Sequence, residues 1–183
     1  GLVHCQPELA DETIEHLAQV FRYTLRKSES EWAPLAEEVE FVTSYLRIEQ
    51  ARFGERLSVR YEVDPAAAHI LIPAMSIQPL IENAVRHGVS AMEGPGSVCL
   101  RAVLAEEALR LEVLDSGPGF PAGFSLERAV GSHGLRNVVE RLRGYYGESA
   151  RLFWECGENG TRVVLTFPHQ IAISRSGKEA FDP

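Results

Sequence analysis

The stretch LIENAVRHG, residues 80–88, combines the pattern of a buried helix with a polar end. Its apolar residues recur at helical spacing. They are Leu80, Ile81, Ala84 and Val85. Asn83, Arg86 and His87 lie three and four residues apart, so they share another face, and Gly88 follows them. An amide oxygen can ligate Mg²⁺, and guanidinium and imidazole groups can contact phosphate oxygens. Taken alone, the same face is equally well explained as a solvated one.

The composition excludes several classes of protein. The chain has 183 residues, enough for one domain with an appendage or for two small domains. A net charge of −8 argues against general nucleic-acid binding. Cys5, Cys99 and Cys156 are odd in number and far apart, which favours reduced thiols in a cytoplasmic setting over a disulfide framework or a zinc site. No apolar run approaches the roughly 20 residues of a membrane span, and we expect no membrane contact.

Two helices are predicted first. Residues 7–27 carry an apolar stripe at helical spacing. The segment begins at Pro7 and ends with basic residues, as a helix does. The segment SESEWAP, residues 28–34, interrupts the pattern. A second helix has Pro34 near its start and ends around Phe53, with Gly54 as its C-cap.

The rest of the chain predicts a mixed sheet with helices. Alternating or β-rich runs at residues 57–63, 68–73, 97–115, 150–156 and 161–168 indicate strands, with turns at 106–107 and 157–160. Pro73 is expected to open the helix that contains the opening stretch, and residues 133–147 form another helix. The fold class is α+β: a two-layer α/β sandwich with helices on one face, preceded by a helical appendage. A doubly wound fold is excluded because strands and helices do not alternate.

Three further segments carry polar residues or glycines suited to a ligand. In DSGPGF, Asp115 at a strand end can accept a hydrogen bond from an exocyclic amine such as that of adenine. Gly117 and Gly119 let the backbone pass close to a flat ring. An ordinary Asp-Ser-Gly turn is the alternative for this segment.

The other two segments are equally ambiguous on their own. Gly131 and Gly134 precede a helix, whose free N–H groups could bind an anion, although a glycine-rich helix start is common. Thr161 heads the final strand and can place a hydroxyl in a pocket, although Gly-Thr is usually only a turn.

In this order, the segments N…DxGxG…GxxGL…GT resemble the nucleotide-binding signature of the GHKL ATPases, over about residues 52–168. That group contains gyrase, Hsp90, MutL and the histidine kinases. The runs LAEEVEFVTSYLRIEQARFGERLSVRYEVD and IPAMSIQPLIENAVRHG are similar to the LytS/YehU-type sensor histidine kinases. ELADETIEHLAQVFRYTL resembles the second helix of that family's dimerisation and phosphotransfer segment. The resemblance implies three parts: residues 1–30 as a partial dimerisation helix, 31–168 as a Bergerat-type (GHKL) ATP-binding domain, and 169–183 as a flexible tail.

The resemblance also implies a role for each matching residue, with ATP and Mg²⁺ bound. Asn83 ligates Mg²⁺, Arg86 and His87 contact phosphates, and Glu82 helps to orient the reacting groups. Asp115 binds the adenine amine, supported by Thr161. Gly117 and Gly119 form the pocket floor. The lid and the phosphate-facing helix start comprise Gly131, Gly134 and Leu135, with Asn137 close by.

The chain departs from the family in three places. No PHFLFN-like stretch with the phosphoacceptor histidine is present, and we expect it to precede Gly1. His4 lacks the motif, and His16 reads as a partly exposed helical residue, so the chain should bind ATP without phosphorylating itself at the family site. The lid reads AVGSHGL, with Val130 and Ser132 where glycines would fall, which is expected to weaken lid closure or affinity. Hydrolytic relatives carry a glutamate four residues before the asparagine, where this chain has Pro79.

The sequence therefore predicts the catalytic domain of a two-component sensor histidine kinase. The whole protein would transfer the γ-phosphoryl of ATP to its own histidine and then to a response-regulator receiver domain. It would act as a homodimer and be membrane-anchored outside this region. The alternatives are a hydrolytic GHKL ATPase clamp and a binding module that has lost nucleotide binding.

Overall fold

Two long helices begin the chain and pack against each other. The computed structural model describes residues 6–27, 30–105, 107–121, 123–125, 133–157 and 160–169. Helix α1 spans Pro7–Lys27 and helix α2 spans Leu35–Phe53, as predicted. Gly54 ends α2 at a φ of 60°, a conformation that glycine adopts without steric cost. The ring of Tyr23 in α1 stacks on Phe41 in α2 at a centroid distance of 4.5 Å.

A five-stranded mixed sheet forms the second layer. Its strands are β2 (Leu57–Val63), β4 (Gly96–Leu104), β5 (Ala108–Asp115), β6 (Arg151–Gly157) and β7 (Gly160–Pro168). Their order is β2-β4-β5-β7-β6, with β2 parallel to β4 and all other neighbours antiparallel. The predicted hairpins β4–β5 and β6–β7 are both confirmed. Glu158 and Asn159 of the predicted turn, and the tail from Gln170, lie outside the described residues.

The helices cover one face of this sheet. Besides α2, this layer contains α3 (Gln78–Asn83) and α4 (His133–Tyr146). Alternate residues of the central strands are buried beneath them, as the period of two requires. The central strand β5 contributes Leu109, Leu111 and Val113. The two-layer α/β sandwich predicted from the sequence is therefore confirmed. In the described part of the chain, none of the helices has the length and apolar character needed to cross a membrane.

The prediction that Pro73 opens a helix is wrong. Pro73 ends a short strand, β3 (Leu71–Pro73), which pairs antiparallel with β1 (Trp32–Pro34) between the first two helices. The chain then reverses at Met75, whose φ is 61°, and α3 begins at Gln78. Pro79 lies in the first turn of α3, where its missing N–H is not needed. The sequence contains two suitable prolines six residues apart, and pairing with β1 decides between them.

The open face of the sheet carries a charged network centred on Glu112. The side chain of Glu112 is almost fully buried and faces three arginines on neighbouring positions. Its carboxylate accepts from Arg162 at 2.8 Å and from Arg110 at 2.5 Å, and Arg101 lies at 3.5 Å. Arg101 also donates to Glu62 on the edge strand β2 at 2.7 Å. The network thus joins strands β2, β4, β5 and β7 across the sheet.

Candidate functional site

The polar face of residues 80–88 lies at the end of α3. Beyond Asn83 the helix widens into a π-turn, Ala84–Gly88, and the helical path continues for three more residues. The helical path therefore runs past Gly88, the glycine that follows the polar residues in the sequence. Ala84, Val85 and Gly88 are buried against the core, whereas Arg86 and His87 are exposed. Single π-turns within helices occur often at functional sites, because the extra residue redirects side chains.

Asp115 ends the central strand β5 and is buried beside this turn. Gly117 N–H donates to its Oδ1 at 2.8 Å, and the hydroxyl of Thr161, its partner on β7, donates to the same carboxylate. Burial raises the pKa of Asp115 from 3.8 to about 6, although these two hydrogen bonds oppose the shift. The carboxylate is therefore shielded from water, and its two hydrogen-bond donors favour its charged form.

Three glycines allow the backbone to surround Asp115. A Cβ at Gly88 would overlap Asp115 Oδ1, and one at Gly117 would overlap the Cα of Gly88. A Cβ at Gly160 would overlap the carbonyl oxygen of Asp115. Of these, the sequence predicted Gly117 as a site residue and missed the roles of Gly88 and Gly160. Both stand in the quoted motif segments, ENAVRHG and GT, so the signal was present but was not tied to a contact.

The predicted metal and phosphate residues line one small cavity of about 80 Å³. The helix contributes Pro79, Glu82, Asn83, Arg86 and His87, and Gly134 and Leu135 of α4 form the other wall. Glu82 Oε1 accepts a hydrogen bond from Gln78 Nε2 at 2.5 Å, one turn earlier. The cavity is about the size of two or three water molecules. That volume is enough for an ion or for part of a phosphate group.

The remaining predicted residues lie on the Asp115 side or away from the cavity. Gly119 has a φ of 87°, and a Cβ there would stand 3.3 Å from Cys156 Sγ, next to a cavity of about 280 Å³ that Asp115, Cys156 and Thr161 help to line. Asn137 is exposed on α4 and does not line the small cavity. Gly131, Val130 and Ser132 lie outside the described residues, as does the side chain of His133.

An aromatic cluster of Phe120, Phe124 and Trp154 follows the Asp115 turn. Phe120 and Phe124 stack at a centroid distance of 4.2 Å, and the ring of Trp154 on β6 meets both edge-on, at 5.6 and 5.3 Å. Phe120 N–H also donates to Cys156 Sγ at 3.3 Å. These contacts attach the segment that follows Gly119 to the edge strand of the sheet.

Two family models match the chain. Residues 74–171 match the family described as histidine kinase-, DNA gyrase B-, and HSP90-like ATPase, which is more than half of the chain. Residues 1–57 match the family described as histidine kinase. The first match contains the helix, the Asp115 turn, α4 and the final strand, which together form the candidate site.

Individual relatives agree with this assignment. The sensor protein LytS of Staphylococcus haemolyticus is 33% identical over 176 residues, 92% of this chain and 30% of LytS. The chain spans about 30% of the length of the curated relatives it matches. The histidine kinase domain of a blue-light activated kinase from Erythrobacter litoralis has the same fold, with a TM-score of 0.60 at 22% identity over 87% of this chain and 74% of that one.

A third relative was solved with a partner. Histidine kinase ThkA, in complex with response regulator protein TrrA, has a TM-score of 0.56 at 17% identity, over 87% of this chain and 49% of ThkA. At that identity the likeness concerns the fold. The resemblance predicted from the sequence is confirmed: the chain belongs to the histidine kinase-, DNA gyrase B- and HSP90-like ATPases, and its similarity to sensor histidine kinases extends over 92% of its length.

Proposed function

We propose that the chain binds ATP with Mg²⁺ between α3, α4 and the Asp115 turn, and that the longer protein uses this site to phosphorylate a histidine. One observation carries the proposal. The segment from Asn83 to Gly88, little more than one helical turn, lines the small cavity with Asn83, Arg86 and His87 and meets Asp115 through Gly88. This arrangement supports a site in which one short helical segment connects an adenine-binding carboxylate to phosphate-binding side chains.

Asp115 has the properties of an adenine-binding carboxylate. A carboxylate offers about four acceptor positions, and the Gly117 and Thr161 hydrogen bonds occupy two of them. An exocyclic amine can donate to a third. Glycines at positions 117 and 119 let the turn after Asp115 pack closely against Gly88 and Cys156, beside the larger cavity that Asp115, Cys156 and Thr161 help to line.

The small cavity has donors and acceptors suited to Mg²⁺ and phosphate. Asn83 and Glu82 offer side-chain oxygens, the ligands that Mg²⁺ takes along with substrate phosphates. When bound, Mg²⁺ would neutralise charge on the phosphates. Arg86 and His87 stand one turn further on, where they can donate to phosphate oxygens.

Pro79 favours phosphoryl transfer over hydrolysis. It lines the cavity at the position where hydrolytic relatives carry a general base, and its ring cannot accept a proton from water. The neighbouring carboxylate, Glu82, is engaged by Gln78. The acceptor imidazole would then be the nucleophile, with this chain positioning the γ-phosphoryl group.

The partners of the longer protein are proposals as well. Helix α1 exposes an apolar stripe that supports pairing with other helices in a homodimer. It consists of Ile14, Leu17, Phe21 and Leu25.

His16 on the same helix is only partly exposed, with Nδ1 3.4 Å from Gln19 Oε1, which supports its interpretation as an ordinary helical residue. A response-regulator partner is supported by the ThkA complex. We also propose a cytoplasmic location and a membrane anchor outside this chain. The division of the chain into a helical segment, an ATP-binding domain and a tail, with boundaries at residues 30 and 168, is likewise a proposal.

Calorimetric titration with ATP, with and without Mg²⁺, tests the function. Asp115→Asn should abolish binding, and Asn83→Ala should remove mainly the Mg²⁺ dependence. Absence of wild-type binding at millimolar ATP would favour the binding-module alternative. Steady release of inorganic phosphate by the wild type would favour the hydrolytic clamp.

A further inference from the structure

Glu38 in the first turn of α2 is a fully buried carboxylate that contacts the segment leading into α3. Its Oε1 accepts from the backbone N–H of Met75 at 2.7 Å. Its Oε2 accepts from the N–H groups of Ser76 and Ile77 at 3.1 and 3.2 Å. The Tyr23 hydroxyl donates to Oε1 as well. One charge thus receives four hydrogen bonds, which offsets the cost of its burial.

The three N–H groups lie where α3 starts, since Ile77 directly precedes Gln78. The first N–H groups of a helix have no partners within it, and the helix dipole favours a negative charge there. Glu38, from another helix, accepts the N–H of Ile77, the N-cap residue of α3, and it also holds the preceding turn at Met75, whose φ is positive. Because hydrogen bonds to a charged acceptor are strong, the position and axis of α3 depend on Glu38.

The opposite wall of the small cavity is attached to the same place. Arg141 of α4 donates through Nη2 to Ser76 Oγ at 3.3 Å, and Ser76 Oγ donates to the Pro73 carbonyl at 2.5 Å. Burial lowers the pKa of Arg141, and the nearby Glu38 charge opposes that shift. The first turn of α4 packs closely on α3, because a Cβ at Gly134 would stand 3.2 Å from the Cβ of Pro79. Glu38, Ser76 and Arg141 therefore connect the segment before α3 to α4, and these two helices supply the lining of the cavity.

Tyr23 connects this arrangement to helix α1. Its ring stacks on Phe41 and is buried, and its hydroxyl reaches the carboxylate across the α1–α2 interface. Burial and the Glu38 charge both raise the pKa of Tyr23, so it remains a proton donor at all physiological pH values. A shift of α1 along α2 would remove one of the four hydrogen bonds that hold Glu38.

We propose that Glu38 is a positioning residue for nucleotide binding, and that Tyr23 makes the geometry of α3 depend on the position of α1. The proposal rests on the function proposed above, because it concerns the same site. Neither side chain lines the small cavity. Both act through the backbone of residues 75–77, and Arg141 extends the effect to α4.

The first test compares Glu38→Gln with Glu40→Gln, an exposed glutamate two positions further along α2. Affinity for MgATP is measured by calorimetry, alongside the unfolding free energy. Glu38→Gln should weaken binding by at least about tenfold, the scale of a hydrogen bond to a charged group. Hydrogen exchange at Met75, Ser76 and Ile77 should accelerate more than at the central strand β5. Glu40→Gln should match the wild type in both readouts.

Tyr23→Phe keeps the test decisive if Glu38→Gln does not fold. Loss of the hydroxyl alone should weaken MgATP binding by about fivefold, less than Glu38→Gln, because the three backbone hydrogen bonds to Glu38 remain. Tyr61→Phe, which removes a hydroxyl bonded to Thr43 between α2 and the sheet, should leave binding unchanged. In a folded Glu38→Gln background, Tyr23→Phe should have no further effect, because the two residues act as a unit.

Three outcomes overturn the proposal in distinguishable ways. If the wild type binds MgATP and both Glu38→Gln and Tyr23→Phe bind within about twofold of it, Glu38 stabilises the fold without positioning the site. If the wild type itself does not bind, the proposed function fails and the inference fails with it. A loss of affinity in Tyr61→Phe equal to that in Tyr23→Phe would also contradict the coupling.

Discussion

The backbone of Gly88 lies directly against the carboxylate of Asp115, so closely that a methyl group on residue 88 would overlap Oδ1. The π-turn that follows α3 and the end of strand β5 therefore fix each other's position. Neither residue can become larger without displacing the other.

Gly88→Ala should disable nucleotide binding while leaving most of the fold intact. The new methyl group must displace the Asp115 side chain, and overpacking of this kind costs about 1–3 kcal/mol. Urea unfolding should show a loss of unfolding free energy of that size, and calorimetry should show that ATP binding is lost, because Asp115 no longer stands in place. Gly94→Ala is the matched control, because a Cβ at Gly94 meets nothing within 4 Å. Equal affinities for the two variants would show that Asp115 need not stay in place.

The raised pKa of Asp115 predicts a pH dependence of stability. A carboxyl group whose pKa rises on folding binds its proton more tightly in the native state, so ionisation destabilises the fold. Compared with Asp115→Asn, the wild type should lose unfolding free energy between pH 3.8 and about 6 and then level off. The full difference should be roughly 3 kcal/mol. Urea titrations of both proteins across this range test it, and parallel profiles would contradict the assigned pKa.

Arg86→Ala should weaken the binding of ATP far more than that of adenosine. Arg86 lines the small cavity, away from Asp115, so its loss removes a phosphate contact worth about 1.5–3 kcal/mol. Competition titrations with ATP and adenosine measure the two effects separately. Arg60→Ala, at an exposed arginine on the edge strand β2, controls for the change in net charge. Equal losses for ATP and adenosine would place Arg86 outside the phosphate site.

Glu112→Gln should destabilise the sheet by about 1–3 kcal/mol, because the neutral amide weakens hydrogen bonds to several guanidinium groups. Burial of Glu112 opposes its ionisation, but Arg162 and Arg110 outweigh it and lower the pKa below 4.5. The stabilisation is therefore present at neutral pH and lost as pH falls through the lowered pKa. Denaturant unfolding at neutral pH and in acid should show the difference shrinking as the pH falls. Glu155→Gln, on an exposed side chain, should change stability by less than about 1 kcal/mol.

Features set by neighbouring residues were predictable from the sequence. The bounds of α1 and α2 follow from prolines, charged ends and a capping glycine, and Asp115 is recognisable at a strand end. The shared face of Asn83, Arg86 and His87 follows from helical spacing, and these side chains do line one cavity. Their roles in binding remain predictions until a nucleotide titration is done.

Features set by distant residues were not predictable. Glu38 has the local pattern of a surface glutamate, and its burial depends on N–H groups 37 to 39 residues further along the chain. The start of α3 was misplaced for a related reason, since Pro73 is drawn into pairing with Trp32. Gly88 and Gly160 cannot carry a side chain, because atoms of Asp115 occupy the space where a Cβ would lie.

The aromatic cluster after the Asp115 turn provides a built-in optical probe. The chain has two tryptophans, and Trp32 lies against Tyr145 and Tyr146, with ring centroids 4.6 and 6.2 Å away, whereas Trp154 lies on Phe120 and Phe124. Trp32→Phe leaves Trp154 as the single tryptophan, in contact with Phe120 and Phe124. Its emission wavelength and quenching by acrylamide report the movement of that segment in real time, without any attached dye. The same protein can therefore be followed by stopped-flow fluorescence on the millisecond scale.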